Sequence, residues 1–195
     1  MKQWRNKVFP KIRAEAKRVG AKILFGDEAG IRSDFHAGTT WAQKGKTPVI
    51  KATGSRFGMN MISAVSSKGE LRFMVVEGTV KSTVFISFLK RLISDVKKKV
   101  FLIVDGHPTH KSKLVKNYVE STRGKLRLFY LPPYSPELNP DELVWNNVKN
   151  HGVGRKIIND KSDLKNAIIG SLRSLQKRPK TVQAFFRHPD TLYAA

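Results

Sequence analysis

The sequence contains no cysteine. A disulfide framework is thereby excluded, as are thiolate nucleophiles and sulfur-built zinc sites, and any metal must rest on Asp, Glu or His. Carboxylates are scarce as well: 15 Asp and Glu stand against 37 Lys and Arg, a formal net charge of +22. Long apolar runs are also missing, with no stretch approaching the roughly 18 to 20 consecutive apolar residues of a membrane span. The N-terminal MKQWRNKVFPKIR lacks the apolar segment of a secretory signal. The expectation is a cytoplasmic protein with no membrane partner.

What is present argues for a packed globule. Hydrophobic residues make up 40% of the chain, eleven of them Phe and three Trp, and 195 residues suit one domain. The cationic excess runs from Lys2 to Arg187 and is not gathered on one amphipathic segment, which argues against a membrane-surface helix. Nucleic acid is the expected partner, because neutralising phosphates releases condensed counterions.

Periodicity divides the chain into alternating elements. Residues 5 to 20 carry a helical pattern closed by Gly20. Lys22 to Gly26, KILFG, is apolar on both faces and reads as a buried strand ending at Asp27. Strands are also predicted at Thr39–Gln43, with Trp41 packing locally, at Gly58–Ser66 and at Leu71–Val76. Lys81 to Lys97 spaces Val84, Phe85, Phe88, Leu89, Leu92 and Ile93 as an amphipathic helix, with Lys97, Lys98 and Lys99 at its solvated end. Val100–Val104, VFLIV, repeats the first strand's design and ends at Asp105. Then come a helix over about 111–122, a strand at Arg127–Leu131, a helix from Pro140 to about Asn150, and two helical segments near 161–176 and 181–187. Helices between the later strands imply parallel pairing there, and the earlier strands form an antiparallel meander. The fold class is α/β, a mixed sheet with helices on both faces.

Two apolar strands each deliver an Asp at the carboxyl end, where open α/β sheets gather their ligands. As parallel neighbours, Asp27 and Asp105 would lie about 5 Å apart. Carboxylates that close repel unless a cation or a shared proton compensates, and a hard divalent metal is the natural partner of an oxygen-only donor set. A third carboxylate is offered by LPPYSPELNPDELVW, residues 131–145, which holds four of the nine prolines together with Glu137, Asp141 and Glu142. Asn139 suits an N-cap and Pro140 the first helical turn, so both following acids are explicable without chemistry. Asp141 falls near the centre of the buried stripe of Val144, Trp145 and Val148, and Glu142 on its rim, beside Trp145. The rim suits a ligand better, though helix geometry alone leaves both open.

Taken in order, ILFGDEAG, TTWAQKGKTPV, FLIVDGHPTHKS and YLPPYSPELNPDELVWNNVK resemble the catalytic domain of DDE-type transposases of the mariner superfamily, in its bacterial insertion-sequence branch. The resemblance implies an RNase H-like fold and a catalytic triad binding two Mg²⁺ or Mn²⁺ ions. It matches the triad to Asp27, Asp105 and, through the Asn-Pro-x-Glu element, Glu142. Asp141 and Glu137 are then left to capping and solvent. The implied activity is metal-dependent DNA cleavage at the ends of a mobile element followed by strand transfer into target DNA. An RNase H-like nuclease or resolvase that only hydrolyses, and a non-catalytic DNA-binding remnant, are the alternatives.

The expected organisation is a single domain over 1–195, with a core at about 22–150 and a C-terminal helical extension over 151–195. The family's N-terminal helix-turn-helix region is expected to be absent, since only about twenty residues precede the first strand; a second reading frame of a split element with that domain encoded separately, a degenerate copy and a domain expressed alone are the alternatives. DNA ends and target are the expected partners, with a homodimer on DNA and association with the nucleoid. His107, His110 and Lys111 are candidate phosphate contacts, with an exposed loop-and-cap role the alternative for the two histidines. Trp145 is expected in the core.

Overall fold

The architecture follows from two strands that stay apolar on both faces. In a computed structural model of the chain, which describes residues 1–34, 41, 43–46, 56–94 and 96–195, β1 spans Lys22–Arg32, β2 Gly58–Val65, β3 Leu71–Val76, β4 Val100–Val104 and β5 Leu126–Tyr130. They form one sheet in the order β3-β2-β1-β4-β5. β1 pairs antiparallel with β2 and parallel with β4, while β2–β3 is antiparallel and β4–β5 parallel. The expected mixed sheet is thus observed.

Helices cover both faces. α1 (Phe9–Val19) ends where Gly20 turns left-handed at φ 66°, a conformation glycine adopts without a Cβ penalty. Together with α5 (Asp141–Asn147), α6 (Lys161–Gln176) and α7 (Pro179–Ala184), it packs a core around Phe25, Met61, Phe101 and Trp145. The other face buries Leu24, Ile62, Leu102 and Val104 against α2 (Ser82–Ser94) and Val115 of α4 (Lys113–Ser121). The alternation of odd and even β1 residues between these cores is the period-two geometry of a strand. No helix among the described residues is long and apolar enough to cross a membrane.

Several expected boundaries shift. β1 does not stop at Gly26; it continues to Arg32 because β2 pairs with it as far as Arg32–Gly58. The helix expected from about 111 is split: α3 (Pro108–Lys111) is a single turn, and Ser112 restarts the chain by accepting from the Val115 amide. α2 ends at Ser94, so Lys97, Lys98 and Lys99 lie exposed on the way into β4. α5 gives way after Asn147 to a wider π turn over Val148–Gly152, and the last helix begins at Pro179. The strand expected at Thr39–Gln43 falls largely outside the described residues. Trp41, expected to pack locally, is fully exposed.

Candidate active site

Asp27 lies where the parallel pairing of β1 with β4 gives out. The register Phe25–Ile103, continued by two residues, sets Asp27 beside Asp105. Asp27 shares the face of Phe25, toward α5. On the far side, β5 runs on as Leu131, whose amide donates to Val104, and then enters the proline-rich turn. That turn brings the chain back over the end of β1.

Asn139 fastens it there. Its side-chain amide donates to the Gly26 carbonyl at 3.2 Å, and its Oδ1 accepts from the Asp141 amide at 3.1 Å. One buried side chain thus ties the start of α5 to the residue preceding Asp27. Gly26 permits close layering here, since a Cβ would stand 3.1 Å from both Leu102 Cδ1 and the Ser63 carbonyl oxygen.

Asp27, Asp105 and Glu142 line one cavity of about 480 Å³, together with His107, Lys111 and Asn139. Burial raises the Asp27 carboxyl well above its usual range, and the adjacent Glu142 and then Asp105 raise it further, against a hydrogen bond from the Glu28 amide. Among the described residues no Lys, Arg or His forms an ion pair with Asp27 or Glu142.

Asp105 is drawn aside. His110 Nδ1 stands 2.9 Å from its Oδ1, and the ring's Nε2 lies 3.0 Å from Glu28 Oε1. Burial opposes a charged imidazole, yet these two carboxylates push the His110 pKa up to about 9. In return, the His110 hydrogen bond holds Asp105 below the usual carboxylate range. His110 is only 1% exposed, so it has no free edge for a phosphate, and the expected DNA contact is replaced by a carboxylate bridge. His107 is exposed and caps α3 through Nδ1, which accepts from the Thr109 amide. Lys111 lies over the Tyr130 ring, 5.3 Å from its centroid, at the cavity wall.

Two side chains escaped the sequence reading. Glu28 follows Asp27 in a continuous strand and therefore points to the opposite face, where it meets His110; the signal was the length of β1. The family resemblance left Asp141 to capping and solvent, although helix geometry put it near the centre of the buried stripe. It is fully buried, with Oδ2 accepting from the Ser63 hydroxyl at 2.6 Å and Oδ1 unpartnered. Burial raises its carboxyl well above the usual range despite Ser63. Glu137 is exposed, as expected, and Trp145 is buried. Tyr134, in the proline turn, is fully exposed at a left-handed φ of 52°, and its ring is offered at the cavity mouth.

The donor set suits a hard divalent cation: three carboxylates on one cavity, two of them with no cationic partner. Among the described residues no three acidic or histidine side chains are gathered closely enough to hold a metal ion as they stand; Asp105 faces His110. The profile of DDE superfamily endonucleases matches residues 22–165.

The chain belongs to the DDE superfamily endonuclease family.

Its sequence relative is an insertion-element protein, and its structural neighbours are mariner transposases. The insertion element IS630 uncharacterized 39 kDa protein of Shigella sonnei is 31% identical over 126 residues, which is 63% of this chain and 36% of that protein. The DDE chain therefore spans about a third of that relative's length. Among solved structures, the catalytic domain of Mos1 mariner transposase superposes with a TM-score of 0.55 at 14% identity, covering 92% of this chain and 90% of that one. The Mos1 mariner paired end complex with Mn gives 0.63 at 14%, covering 98% of this chain and 62% of that one. The likeness identifies the fold as RNase H-like.

Proposed function

We propose that this DDE-family chain is the catalytic domain of a transposase, which cleaves DNA at the ends of a mobile element and joins the freed 3′ end to target DNA. The observation that carries the proposal is the convergence of Asp27, Asp105 and Glu142, from two strands and a helix, on one cavity. These three carboxylates would hold two Mg²⁺ or Mn²⁺ ions, which supply Lewis-acid charge at the attacking and leaving oxygens of a phosphodiester. That a paired end complex of Mos1 was crystallised with Mn, and another with Mg, supports the choice of ions.

The protein's own contribution is position and charge. Asn139 seats α5 so that Glu142 meets Asp27. Glu28 and His110 orient Asp105 from beneath the sheet, and Lys111 offers a cation to a bound phosphate. The exposed Tyr134 presents an apolar ring to the substrate strand. No side chain is needed as a covalent nucleophile. The DNA partner and a homodimer on paired ends belong to the same proposal.

Incubation with Mn²⁺, labelled element-end DNA and a plasmid target tests it. Labelled ends joined to the plasmid are expected from the parent chain and absent from Asp27→Asn, Asp105→Asn and Glu142→Gln. Nicks without joining would favour the hydrolytic reading, and binding without any cleavage would favour the remnant.

A further inference from the structure

Away from the carboxylates, the open edge of the sheet carries a second concavity. It is a cavity of about 440 Å³ beside β3, lined by Arg72 from the strand itself, Arg91 from α2 and Arg173 from α6. The three layers of the fold thus each contribute one guanidinium to the same hollow. Its floor is apolar, formed by Phe73, Val75, Phe88, Leu92 and Ile169, and among the described residues no carboxylate lines it. It shares no residue with the cavity of Asp27, Asp105 and Glu142.

Among the described residues none of these arginines forms a side-chain hydrogen bond or an ion pair, whereas the fourth cation, Lys165, is held by Glu77 at 3.2 Å. In a chain this basic, many cations go unpaired. What sets these apart is convergence over an apolar floor, where field lines concentrate instead of spreading into solvent. Guanidinium forks match phosphate oxygens two by two.

We infer that the β3 edge is a second contact surface for the phosphate backbone of duplex DNA, outside the reacting position. The inference rests on reading the chain as a DNA-acting protein. Strand addition by an acidic peptide is the rival occupant of a sheet edge. Gln176 argues against it, because its side-chain amide already donates to the Leu71 carbonyl at 2.8 Å and covers the first residue of β3.

The test is a salt titration of the full chain binding a labelled duplex of mixed sequence, followed by anisotropy. The triple variant Arg72→Gln/Arg91→Gln/Arg173→Gln leaves three phosphates without their guanidinium, which flattens the slope of log K against log salt by about 2.7. A control variant, Lys2→Gln/Lys7→Gln/Lys11→Gln, removes the same charge from the exposed N-terminal helical segment and is expected to change the slope much less. Arg72→Lys/Arg91→Lys/Arg173→Lys keeps the charge and should keep most of the slope. An unchanged slope in the Gln triple variant, an equal change in the control, or displacement of an acidic peptide instead of DNA would each overturn the inference. Because the slope is read from binding alone and the proposed chemistry from the joining of labelled ends, failure of this surface is separable from failure of that chemistry.

Discussion

Replacing Asp141 with Asn removes a potential charge from a fully buried position beside Glu142 while keeping the shape of the side chain. In the folded state the Asp141 carboxyl is held protonated well above its ordinary range, chiefly by burial, whereas in the unfolded chain it ionises near pH 4. The folded state therefore binds a proton that the unfolded state has released. Stability must fall as pH rises from the ordinary value toward the raised one, by about 1.4 kcal/mol per pH unit. Asn does not titrate and loses this slope. Its Oδ1 can still accept from Ser63, and its amide takes the place of an oxygen that is already unpartnered. Relative to the parent, Asp141→Asn should gain stability progressively as pH rises from the ordinary carboxyl value toward the raised one. Urea unfolding of both proteins across that range measures the difference. A pH-independent difference would refute the burial argument. The same variant should retain cleavage, while Glu142→Gln abolishes it; the reverse result would transfer the third carboxylate role to Asp141.

Three other outcomes follow from the same geometry. Asn139→Ala removes two buried hydrogen bonds, so urea unfolding should show a loss of about 2 to 4 kcal/mol, and cleavage should fall more than that loss explains because Glu142 is released. The stability contributed by charged His110 is complete below the ordinary value of 6.5 and is lost as pH rises through about 9; thermal melts should show that decline in the parent and not in His110→Gln. Trp145→Ala empties a fully buried site under α5, and calorimetry should register about 3 to 5 kcal/mol of destabilisation.

Much of the sheet was legible in the sequence because its signals are local. KILFG and VFLIV announce buried strands by being apolar on both faces, and each is followed by an Asp, so the pairing of Asp27 with Asp105 could be drawn before any coordinates. α6, expected near 161–176, spans Lys161–Gln176, and its cap at Asp160, which accepts from the Asp163 amide, is likewise a property of that segment alone. The break at Ser112 was not legible, because an unbroken helix satisfies the same local pattern.

The composition by itself determined that no thiol chemistry operates and that the partner must tolerate a strongly cationic surface, and the order of the motifs was enough to suggest the family. Tertiary structure decided the rest. Whether β1 ends at Gly26 or runs on to Arg32 depends on β2 lying beside it, and only that continuation turns Glu28 away from Asp27 and into His110. Asp141 and Glu142 are adjacent acids in one helical turn, and helix periodicity favours Glu142 at the rim without placing either against the sheet. The contact of Asn139 with Gly26, 113 positions earlier in the chain, fixes that seating, burying one carboxyl against Ser63 and turning the other toward Asp27.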